Sequence, residues 1–288
     1  MKKILYPVLV VIVFLVMQVL GGVGMIIIAI FKNPSIIESL RNRVDPNTLI
    51  NQVMASDALA WALILSGLGS VLILTALRMI EWKTVLNVKM IDGKIGMIGI
   101  VGALLGIFYT DCFSEFFELR DDMGDIFNSM SNTLVGALAI GVTGPIIEEF
   151  IFREALLGFM LRNNWNKWVA ISVSAVVFGL IHANPAQIPF AVVVGFIFGL
   201  IYYKTGNIVI PSILHIINNS SAVWMMYSMG DEAKDASLQE WLGGRGITIG
   251  VIIPLGVVCF WLLRLFWIKY PQNEVTNQLN AQDNETVL

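Results

Sequence analysis

The sequence predicts an all-α fold, a polytopic membrane helical bundle with about eight transmembrane helices. Two observations predict it. Hydrophobic residues make up 57% of the chain and charged residues only 14%, which leaves too little polar surface for a soluble domain of this size. The apolar residues also form long blocks, where a strand would show alternation and a soluble helix a one-sided stripe.

Eight apolar segments follow one another along the chain, and about twenty residues are enough to cross the hydrocarbon core. The first segment continues too far for a signal-peptide core, so we expect it to remain as a span. The fourth is longer than one crossing. We expect it to bend or break near Gly144 and Pro145, where proline removes a helical donor. The segments are residues 4–31, 58–77, 95–117, 133–161, 166–183, 188–203, 208–229 and 246–268.

These segments divide the chain into four parts. They are three N-terminal spans in residues 1–129, a four-helix core in 130–229, a loop and last span in 230–270, and a polar tail in 271–288. The tail lacks an apolar anchor, and we expect it to be disordered. Most basic residues stand at ends and connections on one side of the bundle, whereas residues 32–57 on the other side carry Lys32, Arg41 and Arg43. We therefore expect a multi-pass cell-membrane protein with both termini in the cytoplasm.

Charge and cysteine content exclude several classes of partner and structure. The net charge of −3 gives no indication of nucleic-acid binding, which leaves the lipid bilayer and a peptide or membrane-protein substrate as the expected partners. The oligomeric state is not predicted. The only cysteines, Cys112 and Cys259, lie in apolar segments, so we expect packing residues and no disulfide. Gly195 and Gly199 are four residues apart and form a small-residue face for close helix packing.

Three charged residues interrupt the fourth segment: Glu148, Glu149 and Arg153. Near mid-bilayer each costs about 2.5–3.5 kcal/mol on insertion scales. Glu149 and Arg153 can pair on one helix face because they are four residues apart. Glu148 is turned about 100° away from Glu149. A structural ion pair therefore explains two of the three charges and leaves Glu148 as the candidate catalytic base.

Both histidines of the chain lie in later apolar segments, His182 in FGLIH and His215 in PSILHIINN. Asn219 shares the helix face of His215. A single histidine in a helix is more often a packing residue than a functional one. However, helical rise from the nearest basic residue places Glu148, His182 and His215 about 21, 22 and 16 Å from the same face. This agreement indicates a shared site.

These residue types suit hydrolysis of an amide bond by activated water. A carboxylate and a neutral imidazole can hold a water molecule and remove its proton. A second histidine and an asparagine amide can donate hydrogen bonds to the oxyanion. Alternatively, Glu148, His182 and His215 could bind zinc with one open position, although the sequence has no HExxH spacing.

Three ordered motifs resemble those of the CAAX-processing and bacteriocin-processing intramembrane proteases, also called the CPBP or Abi family. EExxxR stands at residues 148–153, FxxxH at 178–182 and HxxxN at 215–219. The resemblance covers about residues 130–225. Each motif alone is weak, whereas three in the right order and spacing within apolar segments are specific.

The resemblance implies that Glu148 is the general base and acts with His182 on the attacking water. It implies an oxyanion site formed by His215 and Asn219. The family has been described as metal-dependent, but the motifs suit a glutamate mechanism, so we expect no obligatory metal, with zinc as the alternative. This chain has Glu154 where members often have glycine. We expect Glu154 to compete for the arginine of the first motif. The supporting residues would be Glu149 and Arg153.

Three functions compete at this point. The leading expectation is an endopeptidase that cleaves membrane-associated peptides or proteins near the cytoplasmic face. The second is a non-enzymatic membrane partner that binds a sensor or toxin in immunity or signalling. The third is a transporter, since broken helices and charges within the membrane also mark ion pathways. The absence of an internal repeat argues against transport.

Overall fold

The computed structural model describes residues 2–32, 35–42, 57–86, 93–117, 119–229, 239 and 242–271. These residues form helices and connections, which confirms the all-α prediction. The predicted disordered tail lies outside them apart from its first residue. The helices are α1 (Lys2–Lys32), α2 (Ser35–Arg41), α3 (Ala58–Ala76), α4 (Trp82–Leu86), α5 (Gly93–Ser114), α6 (Gly124–Ser131), α7 (Leu134–Arg162), α8 (Lys167–Leu180), α9 (Ile188–Thr205), α10 (Val209–Met229) and α11 (Arg245–Lys269).

A helix stands at each of the eight predicted segments, and in the described part of the chain six are long and apolar enough to cross a membrane. These six are α1, α3, α5, α7, α9 and α11. The other two differ from a complete span for separate reasons. α8 is apolar but has only 14 residues. α10 has 21 residues but carries a polar run between His215 and Ser221.

The long helix α7 continues through Pro145, where we expected a bend or break. Two π-helical stretches, Ala139–Thr143 and Phe150–Gly158, enclose the α-helical segment Gly144–Glu149. The wider π turn lets the Gly144 N–H donate to the carbonyl of Ala139, five residues earlier. The winding therefore changes next to the proline while the helix continues. Glu148 and Glu149 are the last two residues of the α-helical segment, directly before the second π-helical stretch.

α7 is the central helix of the bundle. An apolar cluster packs α1, α3, α8 and α9 around it, and residues 151–158 of α7 are all buried. α5 and α11 pack against each other and against α9 on one side of this core. The cluster includes Phe14, Leu74, Phe152, Phe178 and Tyr202.

Glycines of α9 allow its close contact with α8. A Cβ atom added to Gly195 would lie 2.9 Å from the ring of Phe178, and one added to Gly199 would lie 3.0 Å from Ile171. The predicted small-residue face therefore packs against the helix that leads to His182. The cysteine prediction is also confirmed, because Cys112 and Cys259 are both buried and free.

Candidate active site

A largely apolar cavity of about 680 Å³ lies within the bundle. The four predicted catalytic residues line it: Glu148 from α7, His182 from the turn after α8, and His215 and Asn219 from α10. Three separate elements therefore bring the polar groups of all three motifs to one space, as the estimated depths indicated.

The predicted ion pair lies directly behind this cavity. Arg153 Nε is 2.9 Å from Glu149 Oε2, and both side chains are fully buried. The guanidinium lies 4.8 Å from the ring centre of Phe178 and 5.7 Å from that of Phe198, and Nη1 donates a long hydrogen bond of 3.5 Å to Ser174 Oγ. Among the described residues, neither Arg153 Nε nor Nη2 has a hydrogen-bond partner in suitable geometry. The Arg153 cation is therefore stabilised by its attraction to Glu149 and by the faces of the two aromatic rings.

His215 is oriented by the same buried carboxylate. Its Nδ1 is 3.1 Å from Glu149 Oε1, so Nδ1–H donates to a glutamate that Arg153 also holds. Its Nε2 is 3.7 Å from Glu148 Oε2, which is beyond hydrogen-bond length. Glu149 therefore fixes the imidazole ring and leaves Nε2 on the side of Glu148 and the cavity.

Glu148 differs from Glu149 in both exposure and partners. Its side chain is 25% exposed, whereas that of Glu149 is fully buried. Glu148 Oε2 has no hydrogen-bond partner among the described residues. Oε2 itself is buried, so the exposed surface of this side chain, which borders the cavity, lies on its other atoms. A buried carboxylate oxygen without a partner is unusual in proteins.

His182 lies in the turn where α8 ends. Its backbone N–H donates to the carbonyl of Gly179 at 3.2 Å, so the carbonyl of Phe178 is left to another donor. The His182 ring provides that donor, with Nδ1 2.8 Å from the Phe178 oxygen. The proton is therefore on Nδ1, and in the neutral ring Nε2 carries the lone pair.

The asparagines of α10 join this helix to the first π-helical stretch of α7. Asn219 Nδ2 donates to the carbonyl of Ile140 at 3.1 Å, and Asn218 Nδ2 donates to Asn219 Oδ1 at 3.0 Å. Asn219 itself lines the cavity. Asn218, the neighbour of Asn219, lies in the cavity lining as well.

Other polar residues of the lining were not predicted. They come from α1, from the last turn and a half of α5, and from the turn before α9. Only one of them, Asp111, could have been predicted from the sequence, because it is an acidic residue in an apolar segment. The others are uncharged. The group consists of Gln18, Asp111, Ser114 and Gln187.

The expected competition of Glu154 for Arg153 is wrong. Glu154 accepts hydrogen bonds from Arg162 Nη1 at 2.7 Å, the Tyr202 hydroxyl at 2.6 Å and the backbone N–H of Glu81 at 3.2 Å. Adjacent helix positions such as 153 and 154 point in different directions, so Glu154 faces other partners.

The placed side chains do not fit the zinc alternative. Among the described residues, no group of three His, Cys, Asp or Glu side chains has an arrangement that could hold a metal ion. Zinc needs three protein ligands around one point, so no catalytic step below passes through a metal.

A family model matches the part of the chain that contains the site, and two curated proteins are similar to this chain over part of its length. Residues 130–221 match the family model for Type II CAAX prenyl endopeptidase Rce1-like. YdiL of Bacillus subtilis (strain 168), whose name provisionally calls it a membrane peptidase, is 33% identical over 84 residues, which cover 29% of this chain and 34% of YdiL. The membrane-embedded CAAX protease MroQ of Staphylococcus aureus (strain USA300) is 30% identical over 105 residues, which cover 35% of this chain and 42% of MroQ.

These matches confirm the family resemblance for the region from the start of α7 to the middle of α10. The region contains all three motifs. The alignments span between a third and about two fifths of the length of these relatives. No solved structure gives a significant match.

Proposed function

We propose that this protein is an intramembrane endopeptidase that hydrolyses peptide bonds of membrane-associated peptides or proteins. The observation that carries the proposal is the meeting of Glu148, His182, His215 and Asn219 around one cavity inside an apolar bundle. The match of residues 130–221 to a CAAX endopeptidase family and the name of MroQ support the same reaction class.

The first step is attack by water. The Glu148 carboxylate, which lines the cavity, and the lone pair on His182 Nε2 hold the water molecule. As the water oxygen bonds to the scissile carbonyl carbon, its proton passes to Glu148, and the carbonyl electrons move to oxygen. Desolvation in the cavity strengthens these interactions.

His215 and Asn219 face the oxyanion that this attack creates. Asn219 donates its second amide hydrogen, and the first stays on the carbonyl of Ile140. His215 keeps Nδ1–H on Glu149, so donation from Nε2 requires the imidazolium form, whose charge lies between the two glutamates. Glu148 then returns the proton to the leaving amine as the C–N bond breaks.

Glu148→Gln tests this mechanism because it removes the base and keeps the shape of the side chain. We expect cleavage to fall by about 10²–10⁴-fold, the usual contribution of a general base. The readout is mass spectrometry of membrane peptides from cells that carry the wild type or the variant. Peptides with new termini that depend on wild type also identify the substrate.

Glu154→Gln is the matched control. It makes the same change six residues later in α7, at a carboxylate that does not line the cavity. Cells with this variant should retain the new termini in proportion to the folded protein present. An unchanged peptide pattern with Glu148→Gln would overturn the catalytic proposal and favour the non-enzymatic partner.

A further inference from the structure

The two ends of the bundle differ in charge. Arg162, Lys167, Lys204 and Lys269 stand at the ends of α7, α8, α9 and α11, and we call this the basic end. The opposite end is formed by the connection 119–123 between α5 and α6 and by the α8–α9 turn. It carries Asp121 and the ion pair of Arg120 with Asp122, and Arg245 begins α11 on this side. Because basic side chains are fewer here than at the other end, we call it the acidic end.

Hydrogen bonds hold the two parts of the acidic end together. Asn184 of the α8–α9 turn donates to Asp121 Oδ1 at 2.9 Å and accepts from the backbone N–H of Asp122 at 3.2 Å. The backbone N–H of Ala186 donates to the carbonyl of Arg120 at 3.2 Å. His182 is only two residues from Asn184, so one proposed catalytic residue lies next to the acidic end.

The cavity extends from the catalytic residues towards this same end. Its lining includes the last turn of α5, much of α6, the α8–α9 turn, the first turn of α9 and the last turns of α10. The lining residues that mark this direction are Ser114, Met123, Phe127, Gln187, Phe190 and Met226.

The path from Glu148 to the basic end is filled by protein. Residues 151–158 of α7 are buried without exception. Beyond them, Glu154 bonds Arg162 and Tyr202, and Arg162 also donates to the carbonyl of Met79 at 3.0 Å. These contacts join α7, α9 and the α3–α4 connection across the basic side. A substrate therefore has no comparable space on that side.

We propose that the active site opens at the acidic end and that this end faces the extracytoplasmic side. The orientation follows from the basic residues at the other end, since these favour the cytoplasm. Its substrates are then membrane peptides or proteins whose scissile bond lies in the outer half of the bilayer or just beyond it. This reverses the expectation of cleavage near the cytoplasmic face. The substrate class rests on the proposed function, whereas the direction of access is a property of the cavity.

Thiol labelling from each side of the membrane tests the direction of access. The background replaces both buried cysteines by alanine, Cys112→Ala and Cys259→Ala. Ser114→Cys, a nearly isosteric change, places one thiol in the cavity lining. Arg120→Cys reports the acidic end, where this side chain is 78% exposed, and Lys269→Cys reports the basic end at an exposed position.

A membrane-impermeant maleimide is applied to right-side-out and to inverted membrane vesicles. We expect it to modify Ser114→Cys and Arg120→Cys in right-side-out vesicles, and Lys269→Cys only in inverted vesicles. Met226→Cys, at a second lining position, gives an independent cavity thiol if Ser114→Cys does not accumulate.

Three results would overturn the inference. One is modification of the cavity thiol only in inverted vesicles, together with Lys269→Cys. Another is modification of Arg120→Cys only in inverted vesicles, which reverses the orientation. The third is a cavity thiol that stays unmodified where Arg120→Cys reacts, because the cavity would then be closed at this end. Labelling does not require cleavage, so these failures are distinct from a failure of the Glu148→Gln test.

Discussion

Two carboxylates of α7, six residues apart, are surrounded in opposite ways. Glu154 is fully buried, and both of its oxygens have partners, Arg162 Nη1 on one and the Tyr202 hydroxyl on the other. Glu148 borders the cavity, and its Oε2 has no hydrogen-bond partner among the described residues. The hydrogen-bonding capacity of the Glu154 carboxylate is therefore satisfied by protein partners, whereas that of the Glu148 carboxylate in the same helix is not.

The difference separates a structural carboxylate from a reactive one. Buried polar groups in proteins are almost always hydrogen-bonded, because an unsatisfied group costs free energy. The Glu154 cluster follows this rule, and Gly158 makes room for it: an added Cβ would lie 2.6 Å from the Tyr202 hydroxyl oxygen. Glu148 departs from this rule, because its buried Oε2 has no hydrogen-bond partner among the described residues. It is also the residue proposed as the general base.

Glu149 combines features of both. It is fully buried like Glu154, with Arg153 on one oxygen, but its other oxygen orients His215 in the cavity. It should therefore affect both stability and activity. The three glutamates form a graded series that can be tested with one type of substitution, Glu to Gln.

Glu149→Gln should have the largest effect on stability. It removes the carboxylate that is paired with the buried Arg153 guanidinium, and breaking a buried pair costs about 3–5 kcal/mol. Thermal unfolding in detergent should show a strongly lowered midpoint, and cleavage should also be lost because His215 loses its orientation. Glu148→Gln is the control and should leave the midpoint unchanged or raised. An equal decrease for Glu148→Gln would assign that residue a structural role.

Glu154→Gln should lower the unfolding midpoint less. The amide oxygen of Gln keeps one acceptor, so about one hydrogen bond to a charged group is lost, worth about 1.5–3 kcal/mol, and the 21% exposed Arg162 side chain recovers part of this from water and from Glu81 at 3.6 Å. Tyr202→Phe removes one of the same hydrogen bonds and should give a smaller decrease. Cleavage per folded molecule should be retained in both. If folded Glu154→Gln protein no longer cleaved the substrate, Glu154 could not be assigned a purely structural role distinct from that of Glu148.

The parts of this comparison that the sequence predicts are local. A spacing of four residues was enough to pair Glu149 with Arg153, and long apolar blocks were enough to locate the helices. The shared depth of Glu148, His182 and His215 required only the helical rise and the basic helix ends. Each of these depends on distances along one helix.

The parts that the sequence does not predict depend on partners far along the chain. Glu154 meets Tyr202 across 48 residues and the N–H of Glu81 across 73. In the first π-helical stretch, the carbonyl of Ile140 accepts a hydrogen bond from Asn219, which lies 79 residues later in the chain. No periodic pattern encodes such contacts. For this reason the competition of Glu154 for Arg153 was expected wrongly, and the π-helical stretches on either side of Gly144–Glu149 were not predicted.

Removal of metal ions should have the smallest effect. If Glu148 itself holds the water, incubation with a chelator such as EDTA should leave the cleavage rate of a substrate identified from the membrane peptides unchanged. Added Zn²⁺ should not restore Glu148→Gln. Loss of wild-type cleavage on chelation, with recovery on adding Zn²⁺, would contradict this mechanism. Glu148, His182 and His215 would then be assigned as ligands after rearrangement, and the base would be a metal-bound hydroxide. The Glu154 cluster would keep its structural role, but the Glu148 carboxylate would be a metal ligand instead of the general base.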